Sequence, residues 1–371
     1  MKLLAEKKAL LKGFQIIQNA ISTKTTLMAL SNFLLEAKKG GLKFSATDLE
    51  IAVSTTIPDI KVETEGAITI PAKKFGDIIK EMPEDKPIEI KVIDEKQTNI
   101  NCGRSHFSLI SLAAKEYPEL LEFPQDKTSV LPTEDIREMI NKIIFATSTD
   151  DTRYVLNGGY CVFEKNTVTF VGTDGVRLAV ITRFISSNKI NHSAIIPAKT
   201  LNELVRLLSI EEAKEIKIGF TANQVSFKIN ETILSSRLID GDFPNYAQVI
   251  PKKHSIQAEL KTAEFLSAVR QVSFLLTDRS SGNGIKLSFK PKGLIVSTSS
   301  PSFGSAEVEV ELVKYSGEPI EIYFNPAYLL DYLKNIEDET ILLQLTNSLA
   351  PALLRPAPDE NYLYILVPLR V

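Results

Sequence analysis

Four aspartates come nearest to a catalytic set in this sequence: Asp48, Asp150, Asp151 and Asp174. Clustered carboxylates can hold Mg²⁺ for phosphoryl or nuclease chemistry. Their setting argues for a different role. Asp48 follows Thr47 in "SATDLEIAV", and Asp174 follows Thr173 in "VGTDGVRLAV". A Thr-Asp pair at the end of a strand offers side-chain oxygens to the amides of a turn. A turn recurs along a chain far more readily than a catalytic centre does. The other reactive side chains form no pattern. His106, His192 and His254 lie far apart, lack metal-ligand spacing and read as surface residues. Cys102 and Cys161 read as free buried thiols of a reducing compartment. Glycine phosphate loops, nucleophile elbows and zinc-helix motifs are absent from the sequence. No catalytic residue, metal or cofactor is therefore expected. The open enzymatic alternative is a carboxylate-dependent nuclease using Asp150, Asp151 and Asp174.

The elements that must position these residues come in threes. "IPAKKFGDIIKEMP" (70–83) returns as "IPAKTLNELVRLLS" (196–209) and, more loosely, as "FNPAYLLDYLKNI" (324–336). Ile70 and Ile196 stand 126 positions apart, as do Thr47 and Thr173. Two landmarks with one offset mark a duplication of domain size rather than a solenoid of short units. In the third copy "IVSTSS" replaces the Thr-Asp landmark. Each copy opens with an apolar stripe at helical spacing: Leu10, Phe14, Ile17 and Ile21; Ile136, Met139, Ile140, Ile143 and Ile144; Phe265, Leu266, Val269 and Val272. Hairpins, the Pro-Ala helix and a three-strand meander follow. The expected fold is α+β, three tandem copies with two helices packed on antiparallel sheet in each. The copies span 1–125, 126–252 and 253–371, with proline-rich seams at 116–124 and 241–253.

Bulk properties are those of a globular chain: 371 residues, 44% hydrophobic, net charge −3. The opening stretch reads as an amphipathic helix and not a signal peptide, and no apolar run has membrane-spanning length. A cytoplasmic protein without a membrane partner is expected. Helices are placed at 6–21, 73–82, 134–145, 199–208, 261–272 and 328–336. They carry more basic than acidic residues, although the whole chain is acidic. Such a surplus suits a helical surface facing a polyanion, but is too small for tight binding by phosphate neutralisation.

Taken in order, "TDLEIAV", "DTRYVLNGGY", "GTDGVRLAV", "GDFPNYAQVIP", "LTNSLAPALLRP" and "YLYILVPLRV" resemble the bacterial DNA polymerase III beta subunit, the beta sliding clamp family. The resemblance covers the whole chain. It implies a DNA-clamp domain in each copy and a head-to-tail homodimer, so that one chain is half of a six-domain ring around double-stranded DNA, read without sequence preference. The ring would be a processivity factor, with the replicative DNA polymerase, the clamp loader, repair polymerases and other clamp-binding-motif proteins as partners. The alternative is a three-domain peptide-binding scaffold that does not encircle DNA.

Matched position by position, the resemblance implies three surfaces. DNA contact falls to Lys24, Lys73, Asp150, Tyr154 and Val155. Asp150 stands where the family often has glutamine and Val155 where it has a second tyrosine; an aspartate there repels phosphate. A partner-peptide pocket falls to Leu156, Thr173, Gly175, Val176, Arg177, Leu178, Pro244, Val249, Tyr328, Leu349, Pro351, Ile365, Leu366, Val367, Pro368, Leu369 and Arg370. Gln248 replaces a basic residue of some members. A dimer interface falls to Phe107 and Leu109 on one side and to Phe274, Leu275 and Leu276 on the other.

Overall fold

The apolar stripes form six α-helices in the computed structural model, which describes residues 1–22, 25–94, 96–120, 122–124, 128–185, 190–276 and 284–370. They are α1 (Lys7–Ile17), α2 (Ala72–Glu81), α3 (Thr133–Ile144), α4 (Ala198–Glu211), α5 (Thr262–Ser273) and α6 (Pro326–Leu333). Two differences from the sequence reading have physical causes. The opening stretch, read as helical, begins with a separate strand, Lys2–Ala5, paired on both sides, ahead of the helix placed at 6–21. Its alternate residues Leu3 and Ala5 are buried, so sheet pairing overrides helical propensity there. At the other end, α1 stops at Ile17 instead of running to 21. The Arg206 guanidinium donates to the carbonyls of Gln15 (2.9 Å) and Ile16 (2.5 Å) and so satisfies open acceptors of the last turn.

The described residues form two compact units, Met1–Glu134 with Asn202–Leu238, and Asp135–Leu201 with Ile239–Val371. The first holds a five-stranded antiparallel sheet, in the order Lys61–Thr64, Lys2–Ala5, Ile88–Asp94, Gln97–Cys102, Ser105–Ile110. It also holds a nine-stranded sheet, in the order Leu112–Ala113, Gly66–Pro71, Asn32–Lys38, Gly41–Thr47, Ile51–Ile57, Thr232–Arg237, Gln224–Ile229, Glu215–Phe220, Thr128–Pro132. The second unit has a nine-stranded sheet of the same plan: His192–Pro197, Gly158–Phe163, Thr167–Thr173, Arg177–Phe184, Tyr362–Leu366, Ala352–Pro356, Thr340–Leu345, Ile256–Lys261, Leu312–Ser316. Its four-stranded sheet runs Gly304–Val310, Gly293–Ser300, Ile285–Lys290, Ile320–Phe324.

Each nine-stranded sheet is shared by two sequence copies. Ile51–Ile57 pairs with Thr232–Arg237, and Arg177–Phe184 pairs with Tyr362–Leu366, in the same antiparallel sense. Hydrogen-bonded ladders therefore cross the copy boundaries, and the compact units do not coincide with the repeats. The helices pack where the strands are apolar. In the first unit Phe33, Phe44 and Phe75 are fully buried and lie with Phe14 in edge and stacked contacts at 4.9–5.8 Å. A β-carbon on Gly13 would fall 2.5 Å from the Phe44 ring, so glycine is what lets α1 lie this close to the sheet. In the second unit Tyr332, Tyr362 and Tyr364 fill the core, with Tyr332 stacked on Tyr364 at 4.7 Å. Among the described residues no helix is long and apolar enough to cross a membrane.

Candidate functional site

The recurrent aspartates act as turn anchors. Asp48 Oδ1 accepts from the amides of Glu50 and Ile51, and Asp174 Oδ1 from those of Val176 and Arg177, at 2.9–3.0 Å. Thr47 and Thr173 each donate to a carbonyl four residues on and accept from the amide two residues on. Asp150 caps the following 3-10 turn (Asp151–Leu156) by accepting from Thr152. Among the described residues no three His, Cys, Asp or Glu side chains are grouped to hold a metal ion. Cys102 and Cys161 are free and buried, as read; burial pushes the Cys161 thiol well up. His106 is exposed, but His192 and His254 are half-buried rather than on the surface.

The two copies of the turn differ at the residue that must take the left-handed conformation. Gly175 has φ 88°, and Leu49 holds φ 77° at the equivalent place. A left-handed non-glycine residue costs about 1–2 kcal/mol. Leu49 is half-exposed, so little burial offsets this. Leu49→Gly is expected to raise unfolding free energy by about 1 kcal/mol in urea titration, despite the flexibility glycine adds to the unfolded chain. An unchanged or lower midpoint would mean that Leu49 is held by more than the turn.

The second turn carries the site. Arg177 Nε donates to Asp174 Oδ2 (3.0 Å), and its Nη1 to Asp331 Oδ2 on α6 (2.7 Å). The guanidinium lies 4.4 Å from the centre of the Tyr328 ring and 5.7 Å from that of Phe145. Burial disfavours its charge, but the Asp331 hydrogen bond and the neighbouring charges outweigh that and raise its pKa. The Tyr364 hydroxyl donates to the Tyr328 carbonyl and fixes the start of α6. Beside the turn runs the last strand, with Arg177 opposite Leu366 and Leu178 opposite Ile365; the Val367 amide donates to the Val176 carbonyl.

Seventeen residues were expected in a pocket, and they separate into floor and rim. Leu156, Leu178, Ile365, Leu366 and Pro368 are buried. Leu178 and Ile365 join Val171 and Val180 in one cluster, roofed by Tyr160, Phe243, Tyr246 and Ile250. Phe243 stacks on Tyr160 at 4.8 Å, which docks the segment carrying Pro244 and Val249. Thr173, Arg177, Tyr328, Pro351 and Leu369 are half-buried, while Gly175, Pro244 and Arg370 are exposed. Four apolar side chains stay open: Leu349 (66% exposed), Val249 (54%), Val176 and Val367. Asn347 holds the Leu349 turn by accepting from the amides of Leu349 and Ala350. The result is a packed apolar base with four open apolar side chains and an anchored cation among them. Asp331 and Phe145 were not foreseen. The available signal was that Asp331 follows Tyr328 by three residues on one helix, and so shares its face.

The expected DNA-contact residues are placed as follows. Lys24 lies outside the described residues. Lys73 is exposed in the first turn of α2. Asp150, Tyr154 and Val155 share the 151–156 turn and its cap, with Tyr154 exposed. Thr152, through its amide and then its hydroxyl, holds the Asp150 carboxyl below the usual range. Gly241 lies against this turn; a β-carbon there would meet Val155 at 3.0 Å. Part of the basic surplus on the helices is used inside the fold. Lys7 donates to the carbonyls of Lys80 and Met82 at the end of α2. Lys142 pairs with Glu138 at 2.6 Å, and Arg206 binds Glu203 and α1.

Of the interface residues, Phe107 and Leu109 lie on the open outer strand Ser105–Ile110, together with Ile110 (83% exposed), which was not foreseen. Phe274 (79% exposed) follows the end of α5; Leu275 is half-buried, and Leu276 is turned into the fold.

Tandem repeats that share sheets, turn-forming aspartates and one group of open apolar side chains beside a held arginine define a clamp-type chain. Models of the DNA polymerase III beta subunit match it in order: the N-terminal domain at residues 1–121, the central domain at 130–245 and the C-terminal domain at 247–370. It is 30% identical to the beta sliding clamp of Bacillus subtilis over all of both chains, and 32% identical to that of Haemophilus influenzae, again over all of both. The crystal structure of the DNA polymerase sliding clamp from Bacillus subtilis superposes with a TM-score of 0.96 at 30% identity, covering 100% of this chain and 99% of that one. A sliding clamp from Pseudomonas aeruginosa bound to griselimycin gives 0.94 at 31% identity, covering both chains fully. The chain belongs to the DNA polymerase III beta-subunit family.

Proposed function

We propose that two copies close head to tail into a six-domain ring around duplex DNA and tether the replicative polymerase through the recess between Val176, Val249, Leu349 and Val367. The observation that carries this reading is strand arithmetic. Two sheets have nine strands, one has five and one has four. Within the chain, the meander edges of the second and third copies pair with the hairpin edge of the copy before, as Thr232–Arg237 does with Ile51–Ile57. Ser105–Ile110 and Gly304–Val310 are the same two strands, each at the open edge of its sheet. Pairing them between copies would make nine again, and two such contacts per pair of chains close a ring. It would also cover edges that otherwise invite aggregation.

The domains at 1–125, 126–252 and 253–371 are then repeated clamp modules, and the chain supplies no catalytic residue. Retention is topological, so weak contact from Lys24, Lys73 and the Tyr154 turn suffices and permits sliding. The recess takes short peptides from polymerases, the clamp loader and repair proteins, in the bacterial cytoplasm where the chromosome lies. The test is retention on DNA. Protein placed on a circular plasmid by a clamp loader should co-elute with it through gel filtration and be lost once the plasmid is cut. Equal retention on circular and linear DNA would sink the ring; no retention on either would favour the scaffold.

A further inference from the structure

The nine-stranded sheet of the first unit carries a lysine group on the face opposite its helices. Phe44 points to α1 on one side, so Lys43 lies on the other. Cross-strand register extends that face. Ser54 stands opposite Ile233, Ile233 opposite Lys228, Lys228 opposite Lys217, and Lys217 opposite Val130. Lys217 and Lys228 are thus a directly facing pair of like charges, which destabilises a sheet. Neither forms an ion pair with a described residue; Lys43 reaches Glu36 only at 3.9 Å. Two adjoining hollows share this pair. One of about 320 Å³ adds Lys43, Leu120, Phe123 and Glu122; the other, of about 490 Å³, adds Lys214, Val130 and Glu215.

We propose that this double hollow docks an acidic segment of a partner polypeptide that carries apolar side chains. Among the described residues, four lysines against two carboxylates line the hollows, in a chain of net charge −3. An anion seated over Lys217 and Lys228 relieves their repulsion. Peptide fits better than nucleic acid for two reasons. Glu122 and Glu215 interrupt the cationic path and would repel a continuous phosphate backbone. Leu120, Phe123 and Ile233 form an apolar wall that alkyl or aryl side chains can use and a phosphodiester chain cannot. The surface shares no residue with the Val176 group and does not depend on it.

The probe is a fluorescein-labelled octapeptide alternating Glu or Asp with Leu or Phe, titrated with the full chain by fluorescence polarisation at low ionic strength. Saturable binding is expected, weakened about tenfold or more in the Lys217→Gln, Lys228→Gln double variant, since two charge-assisted contacts are lost. The all-amide peptide should bind no better than the double variant binds the acidic one. Lys43→Gln and Lys214→Gln, each at one hollow only, should weaken binding by smaller factors. Lys217 is exposed and Lys228 half-buried, and the double substitution removes a like-charge pair, so native mass and thermal midpoint should hold. Equal binding by the double variant, or by the amide peptide, would overturn the proposal. So would tighter, equally lysine-dependent binding of a ten-nucleotide oligothymidylate, which would make this a single-stranded DNA surface.

Discussion

Phe107→Asp is expected to halve the native mass from twice the 41.2 kDa chain to the single chain, and with it to abolish retention on circular DNA. The reason lies in the rows of side chains that run across the sheets. In the five-stranded sheet Leu3, Ile90, Ile100 and Phe107 stand opposite one another in turn. The first three are fully buried, and Phe107 ends the row half-open at the edge. In the four-stranded sheet Ile322, Leu287, Val296 and Val308 form the matching row, buried up to Val296 and half-buried at Val308. At the internal seam the same kind of row continues unbroken through Phe227, Leu234 and Val53, all buried. Pairing two copies would give Phe107 and Val308 the neighbours that Leu234 and Val53 already have. A carboxylate at 107 would then be desolvated without a partner, at a cost of about 4 kcal/mol or more per contact, roughly a thousandfold in affinity. In the single chain the residue is exposed, so the fold should tolerate the change within about 1 kcal/mol. Light scattering over a dilution series decides the matter. A variant that keeps double mass would show that the chains associate elsewhere, with Phe274 beyond the end of α5 the next place to look.

The repeat was legible because its landmarks are local. Thr47-Asp48 and Thr173-Asp174 each close a turn with oxygens inside a few residues of chain, so their chemistry could be read from spacing alone. Helix positions were legible for the same reason, since apolar residues at three and four must share a face. What depends on register was not legible. Lys217 and Lys228 sit on neighbouring strands, and only the pairing makes them face one another. The strand Lys2–Ala5 read as helix because its alternation is four residues long and merges with the stripe of α1. The basic surplus of the helices overstated the charge available to DNA, because Lys7 and Arg206 turn inward to cap helix carbonyls, a use that charge counting cannot detect. The expected pocket residues were named through resemblance; burial then divided them into a packed floor and four open apolar side chains. Asp331 escaped because its partner Arg177 lies far away in sequence, across the seam between two copies.

Asp331 and Arg177 also fix the second large effect. Arg177→Ala is expected to weaken binding of a labelled polymerase-derived clamp-binding peptide about a hundredfold, while leaving native mass unchanged. The guanidinium joins three things at once: the Asp174 turn that presents Val176, the Asp331 carboxylate on α6, and the face of Tyr328. Without it Asp174 keeps its turn amides but loses its counter-charge in a mostly buried position, and the Tyr328 ring loses its cation. Breaking a buried pair costs about 3–5 kcal/mol. Asp331 is partly exposed, and solvent screens its share, so about 2 kcal/mol of stability loss is the better expectation. That leaves most chains folded, and the peptide loss then reports the recess rather than unfolding. Arg177→Lys should not rescue binding, because one ammonium cannot reach both carboxylates and lie flat on the ring. Asp331→Asn keeps the Asp174 bond and the stacking, and should lose only a few-fold. The ordering Ala and Lys far below Asn, at constant mass, would mean that the arginine shapes the wall of the recess. Equal small losses in all three would show that Val249, Leu349 and Val367 hold the peptide without it.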